Sequence, residues 1–512
     1  MYARYQTCNV FKRKRDAYRR FYCGCLVGNR PGENEGPPRP FSDVPGPKSS
    51  PIIGTLYKYL PGIGEYSFTE LYESGLKKLK RFGPLVREEI VPNVNVLWIY
   101  RPEDIAEIFK AESGLHPERR SHLALLKYRK DRPDLYSTGG LLPTNGPEWW
   151  RLRKEFQKVS SKPQNIINYI EETDNVVKEF VELCATKKFE DLQPILSRLY
   201  LELTCLVVFD IKLNSFSEEE KHEDSRSSKL IDAAFATNSA ILKLDNGLQL
   251  WQFFETPLYR KLRKAQTYMQ SVALDLVSQA RRNKSHQNKS FLNAYFENSA
   301  LDIKDIIGMS CDMLLAGIDT TTYSTAFTFY HLAKNQVAQE KLRTEAEQLL
   351  PDPNQPITAD ILRNASYTKA VIKESLRLNP ISVGVGRILQ TDVVLSGYQV
   401  PKGTVVVTQN QIICRLPEYF DSPHLFIPER WLRDGSDSKI GSGKSVHPYI
   451  VLPFGHGPRS CIARRFAEQN MQVLLLRICR QLKFSWQGGQ LGIISLLINK
   501  PNAPIKLNFH TT

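Results

Sequence analysis

The chain has 512 residues, of which 41% are hydrophobic, enough for a large buried core, and no run of about 20 apolar residues could span a bilayer. Its net charge of +15 is uneven: +7 falls in the first thirty residues, and the +8 diluted over the other 482, without any nucleic-acid-binding signature, excludes nucleic acid as a partner. Nine cysteines, an odd number without framework spacing, exclude a disulfide scaffold and fit a reducing compartment.

In chain order, residues 1–30 carry Arg4, Lys12, Arg13, Lys14, Arg15, Arg19, Arg20 and Arg30 against the single acid Asp16. An arginine-rich, acid-poor N-terminus reads as a mitochondrial targeting leader; a disordered basic tail or a nuclear-localisation run at Lys12 to Arg15 is the alternative. Residues 31–51 hold seven prolines, which predicts an extended, stiff hinge. The remaining residues, 52–512, read as one large domain. Strands are expected at Pro84 to Val91 and Val94 to Tyr100, helices predominate to about residue 380, and extended segments return at Val393 to Val400 and Thr404 to Asn410. The fold class is therefore mainly α with a small β region. The charged run Ser217 to Arg226 reads as a solvated loop. Gly441 to Ser445 ends like a phosphate-binding loop, but Ser438 stands where the first glycine would fall, so nucleotide binding is rejected. No Gly-x-Gly-x-x-Gly fingerprint is present, so the chain carries no reductase of its own.

The most informative stretch is Phe454-Gly455-His456-Gly457-Pro458-Arg459-Ser460-Cys461. Glycines let a backbone approach a flat porphyrin where a Cβ would collide, and amides at the start of a following helix stabilise a negatively charged sulfur. Arg459 can pair with a haem propionate. The stretch resembles the cysteine-ligand loop of the cytochrome P-450 haem-thiolate monooxygenases, usually Phe-Gly-x-Gly-x-Arg-x-Cys-x-Gly, with Ala463 here in place of the last glycine. The resemblance spans roughly residues 40 to 510. It implies the cytochrome P-450 fold and haem b (iron protoporphyrin IX), with Cys461 as axial ligand of the iron and Phe454, Gly455, Gly457 and Arg459 beside the macrocycle.

Further motifs extend the resemblance. Ala316-Gly317-Ile318-Asp319-Thr320-Thr321 lies in an apolar helical segment from about Ile303 to Lys334, where Ala316 and Thr320 share a face. Read alone it is a kinked packing helix; in the family it crosses the oxygen side of the haem, which implies proton relay by Asp319 and Thr320. Glu374-Ser-Leu-Arg377 with Pro428-Glu-Arg430-Trp431 resembles the family's buried triad of Glu374, Arg377 and Arg430. Trp149 and Arg153, four apart behind Pro147, resemble the tryptophan and arginine that bind a propionate, with Arg387 as a further partner; Trp150 with Lys154 is the competing register.

Lys369 and Lys373, four apart on one helix, together with Arg464 and Arg465 would form a basic patch on the proximal side of the haem. This resembles the mitochondrial branch of the family and implies an acidic 2Fe-2S ferredoxin with its reductase as electron donor, at the matrix face of the inner membrane. Pro40 to Pro47, Gly54 to Tyr59 and Gly139 to Trp150 resemble arthropod steroid hydroxylases of moulting-hormone synthesis, which implies O2 and a steroid or other lipophile as substrates, with carbon 22 of an ecdysteroid precursor as target. The rivals are a mitochondrial detoxification enzyme and a non-catalytic haem sensor or carrier. Substrate choice is expected in loops at Gly114 to Asp131 and Phe235 to Leu250. Leu248 to Leu262, with Trp251, Phe253, Phe254 and Tyr259 beside Arg260, Lys261 and Arg263, reads either as a peripheral membrane contact or as core packing.

Overall fold

Valine- and isoleucine-rich runs with alternating burial build the small sheet of this computed structural model, which describes residues 36–282, 291–432 and 446–511 apart from 113 and 115. The basic leader and Gly441 to Ser445 lie outside these residues. The described chain forms two compact units, one of residues 36–118, 383–424 and 446–452, the other of 119–382, 425–432 and 453–511.

In the first unit β1 (Leu85–Val91) and β2 (Val94–Ile99) are joined across Pro92-Asn93, and Asn93 takes φ +65, a conformation asparagine tolerates well. After β3 (Gly386–Ile388), the expected single extended run at Val393 to Val400 is instead a hairpin of β4 (Val393–Leu395) and β5 (Tyr398–Val400). Ser396 and Gly397 between them both have positive φ, +47 and +79, which turns the chain back on itself. With β6 (Val405–Thr408) the main sheet runs β1-β2-β6-β3, parallel only between β2 and β6. Helices α1 (Leu71–Phe82) and α2 (Pro102–Ala111) belong to this unit, and α2 opens on Pro102 with Glu103 and Asp104 in its first turn, favourable at a helix N-terminus.

The described part of the proline-rich segment is anchored rather than a free hinge. Arg39 bridges to Tyr398 and lies 3.8 Å over its ring, and the Arg87 amide donates to the Pro45 carbonyl at 2.9 Å.

The second unit is helical: α3 (Gly146–Ser160), α4 (Ile170–Thr186), α5 (Gln193–Phe209), α6 (Arg226–Asn246), α7 (Pro257–Arg282), α8 (Ile303–Gly317), α9 (Asp319–Lys334), α10 (Gln336–Leu349), α11 (Ser366–Leu378) and α12 (Arg464–Gln481), with shorter turns between them. Two hairpin-like pairs follow, β7 (Leu482–Trp486) with β10 (Leu507–Thr511) and β8 (Ile493–Ser495) with β9 (Asn499–Pro501). From Leu196 to Phe209 every residue of α5 is buried, the mark of a helix enclosed by others. The two segments expected as substrate-selecting loops are partly helical: Leu123–Lys130 is a helix, and Phe235 to Asn246 lies inside α6. The charged run Ser217 to Arg226 holds a 3-10 turn at Glu219–Lys221 and ends on the first residue of α6.

The expected continuous helix from Ile303 to Lys334 is interrupted at Ile318, whose ψ of −69 separates α8 from α9. Threonine hydroxyls cluster at the break. Thr320 Oγ1 donates to the Ala316 carbonyl at 2.7 Å, Thr321 Oγ1 to Gly317 at 3.2 Å and Thr322 Oγ1 to Ile318 at 2.8 Å, bonds that bend a helix.

Gly317 is required here for space. A Cβ built on it would fall 2.6 Å from Thr204 Oγ1 on α5. Helix propensity alone would favour Gly317→Ala by about 1 kcal/mol; crowding is expected to reverse the sign and cost about 1–3 kcal/mol in a urea titration, and adding Thr204→Ala is expected to recover most of the loss.

Candidate active site

The chain from Phe454 to Ala463 is shaped by two left-handed glycines, Gly455 at φ +72 and Gly457 at φ +69. A Cβ on Gly457 would meet no protein atom within 4 Å, so the loop presents a bare ledge rather than a packed surface. Pro458 starts a single 3-10 turn over Gly457–Arg459, the Ser460 amide closes it on the Gly457 carbonyl at 3.0 Å, and the Cys461 amide donates to the Phe454 carbonyl at 2.8 Å. These bonds hold Cys461 just ahead of α12. Ala463 sits there at φ −95, ordinary for any residue, so the glycine usual at this place is not needed for backbone conformation.

Six cysteines are described; five are buried and Cys461 alone is exposed. Its thiol nonetheless lies deep among protein atoms, as a group facing an enclosed space does. Burial raises its pKa, opposed by a hydrogen bond from the Ala463 amide and by the positive charge of Arg153.

Helix α3 supplies the cations. Trp149 and Arg153 are both buried on one face, whereas Trp150 is half-buried and Lys154 exposed, which favours the first of the two registers. Arg459 lies 4.2 Å over the Trp149 ring and donates to the Thr144 carbonyl and, at 2.7 Å, to Asn145 Oδ1, so the cysteine loop is tied to the start of α3. Arg153 donates to Gln157 Oε1 at 2.8 Å. Burial lowers its pKa to about 10, and among the described residues the acidic group that opposes this is the Cys461 thiol. A buried guanidinium with no carboxylate partner among the described residues fits an anionic ligand.

Across the second unit, Ala316 is exposed and Thr320 half-buried, between the buried Leu314, Leu315, Ile318 and Asp319. A small residue and a hydroxyl therefore line open space on an otherwise enclosed helix. Asp319 lies on another side: it is 2% exposed, its Oδ2 accepts from Asn238 Nδ2 at 2.9 Å, and burial pushes its pKa up to about 6. A cysteine presented by an exposed loop, a bare glycine ledge, buried Arg153 and small residues facing open space together fit haem b.

Glu374, Arg377 and Arg430 do meet. Glu374 accepts from Arg377 Nε at 2.8 Å and Nη2 at 2.7 Å and from Arg430 Nε at 3.3 Å. Its remaining acceptor capacity goes to Trp431 Nε1 and the Ile427 amide, both at 3.0 Å. Lys369, Lys373, Arg464 and Arg465 are all exposed; Lys373 lies 4.0 Å over the Trp431 ring, near enough to Arg464 for that charge to depress its pKa after burial has done so. Arg387 belongs to the first unit, where it pairs with Glu112 at 2.7 Å. Sequence reasoning did not find Asn145, Asn238 or the role of Trp431. Only Trp431 had a signal, its place in the Pro428 to Trp431 run.

The chain matches the family described as Cytochrome P-450 over residues 44–509. It is 50% identical over 476 residues, 92% of this chain and 95% of the relative, to cytochrome P-450 302a1, mitochondrial, of Drosophila melanogaster. It is 30% identical over 482 residues, 91% of this chain and 86% of the relative, to probable cytochrome P-450 301a1, mitochondrial, of the same species. To ecdysone 20-monooxygenase, also of that species, it is 29% identical over 455 residues, 85% of this chain and 82% of the relative.

Glu374→Ala removes the carboxylate that neutralises two buried guanidinium groups. It is expected to lower the unfolding free energy by about 3–5 kcal/mol, followed by circular dichroism in urea; a loss below about 1 kcal/mol would show that the triad does not hold the fold.

Proposed function

The chain belongs to the cytochrome P-450 family and is a haem monooxygenase, and we propose that it is a mitochondrial steroid hydroxylase that acts at carbon 22 of an ecdysteroid precursor. The relative that is 50% identical over 95% of its own length carries a mitochondrial name, and the more distant ecdysone 20-monooxygenase is named for an ecdysteroid.

When bound, haem supplies the redox chemistry that activates O2, with a thiolate ligand that favours O–O cleavage. Cys461 would supply that sulfur, stabilised by the Ala463 amide and Arg153. Phe454, Gly455 and Gly457 would form the ledge for the ring, and Trp149, Arg153 and Arg459 would hold the propionates. Ala316 leaves room for O2. The Asp319 carboxyl, with a pKa near neutrality, can hold a proton and pass it on at the pH of a cell compartment, and Thr320 carries the hydroxyl nearest the open space.

The single observation that carries the mitochondrial reading from geometry is the exposed basic patch of Lys369, Lys373, Arg464 and Arg465 beside the helix that follows Cys461. An acidic 2Fe-2S ferredoxin, reduced by its own reductase, would be steered to it by long-range attraction. At the matrix face of the inner membrane, peripheral attachment would fall to Phe253 and Phe254, which are 84% and 58% exposed, because Trp251 and Tyr259 are buried and stacked on each other at 5.7 Å. No helix among the described residues is long and apolar enough to cross a membrane.

Incubation of the reconstituted enzyme with ecdysteroid precursors, plant lipophiles and insecticides is expected to give a side-chain hydroxylated steroid as the preferred product. Preference for the foreign lipophiles would replace this reading with a detoxification role, and no consumption of reductant with any substrate would leave a haem carrier. Lys369→Glu with Lys373→Glu is expected to weaken ferredoxin binding at least about tenfold at low salt and to leave the haem spectrum and substrate binding unchanged, since attraction of this kind is screened over about 10 Å at 0.1 M salt. Unchanged ferredoxin affinity, or full activity with a flavoprotein reductase instead, would overturn the assignment.

A further inference from the structure

Asn238 sits midway along α6, a helix otherwise packed through apolar and small side chains, and its amide is 6% exposed. A buried amide of this kind must spend its hydrogen bonds on specific partners. Its Nδ2 donates to Asp319 Oδ2 at 2.9 Å across the gap between α6 and the first residue of α9.

Three groups face this carboxyl from three elements. Asn238 approaches from α6, Lys500 from β9, and Tyr323 from the next turn of α9. Lys500 is held 4.7 Å over the ring of Phe235, one turn before Asn238 on α6, whereas the Asn238 amide bonds the carboxyl directly. Adjacent residues on a helix point about 100° apart. Thr320, next in the chain, turns instead toward the Ala316 carbonyl and the open space.

We propose that Asn238 is the positioning residue that holds the Asp319 carboxyl on the α6 side, away from Thr320, and so makes proton supply to the Thr320 face depend on α6. This rests on the reading of Asp319 as the acid of the relay. An amide N–H donated to a carboxylate favours its ionised form, so loss of the donor raises the pH at which Asp319 gives up its proton. Burial dominates and pushes the other way, with Asn238, Lys500 and Tyr323 each pulling back toward ionisation, and the balance falls at about 6.

The test measures product formed per electron consumed across mildly acidic to mildly alkaline pH, using the ferredoxin-reduced holoenzyme and Asn238→Leu, Asn238→Asp and Asp319→Asn. The carbon monoxide spectrum of each variant reports that haem is held normally. Coupling in the unaltered enzyme is expected to decline as Asp319 ionises. In Asn238→Leu that decline should move up by about one pH unit, the worth of one hydrogen bond to a charged group. In Asn238→Asp, nearly the same shape, it should move up further, because two facing carboxyls resist ionising together; a merely structural asparagine would tolerate this change with the profile unmoved. Asp319→Asn should lower coupling and flatten the profile. If Asp319→Asn alters nothing, the acid assignment itself fails; if it does alter coupling while both Asn238 variants keep the unaltered profile, only the role given to Asn238 is overturned.

Discussion

In its proposed role as haem ligand the Cys461 sulfur must carry negative charge deep inside the protein, and that constraint governs the rest of the structure. Burial alone raises the pKa of the Cys461 thiol, so the fold has to supply positive potential at close range without consuming the sulfur's open side. It does so with a backbone amide from Ala463 and the charge of Arg153. Both require a rigid frame: the amide comes from the turn that starts α12, and Arg153 from α3, to which Arg459 ties the cysteine loop through Thr144 and Asn145. The left-handed glycines follow from the same demand, since a turn tight enough to aim the amide leaves no room for ordinary φ at Gly455 and Gly457.

Several other buried charges are neutralised by ion pairs. Arg477 on α12 binds Asp174 on α4 through two nitrogens, Arg129 pairs with Asp312 at 2.7 Å, and Glu374 collects two arginines, a tryptophan and an amide. In the first unit Lys78 meets Glu88 and the Tyr59 hydroxyl beneath the ring of Trp98. Arg153 is buried as well, and among the described residues no carboxylate pairs with it; unlike Arg198, which spends its donors on the Ser215 and Glu220 carbonyls and Ser228 Oγ, it has a hydrogen bond to Gln157 alone, and an anionic cofactor would complete its partners.

The cysteine loop was legible in the sequence because its chemistry allows few residues at each place: glycine for φ, arginine for a planar anion, cysteine for the metal. Glu374, Arg377 and Arg430 were legible by resemblance alone, since a charged pair three apart on a helix is ordinary and Arg430 lies far along the chain. Strand positions came within a residue or two at Leu85 to Ile99, where alternation is strong. The break at Ile318 was not legible, because apolar spacing continues through it. The hairpin at Ser396-Gly397 was missed for a similar local reason, two positive φ values in an otherwise extended run. Phe235 to Asn246 is helix where the sequence reads as loop, since mixed polar and small residues hide its period. Asn238 had no signal at all: its partner lies 81 residues away, and only the packing of α6 against α9 brings them together.

The account stands or falls on Cys461 as the ligand of haem iron, and the most direct measurement is the absorption spectrum of the reduced, carbon monoxide-bound protein in Cys461→Ser beside the unaltered chain. The unaltered protein should show the long-wavelength band that thiolate-ligated ferrous haem gives with carbon monoxide, and the variant should lack it because a serine oxygen does not donate charge as a thiolate does. A long-wavelength band that persists in Cys461→Ser would contradict the assignment and remove this cysteine from the site.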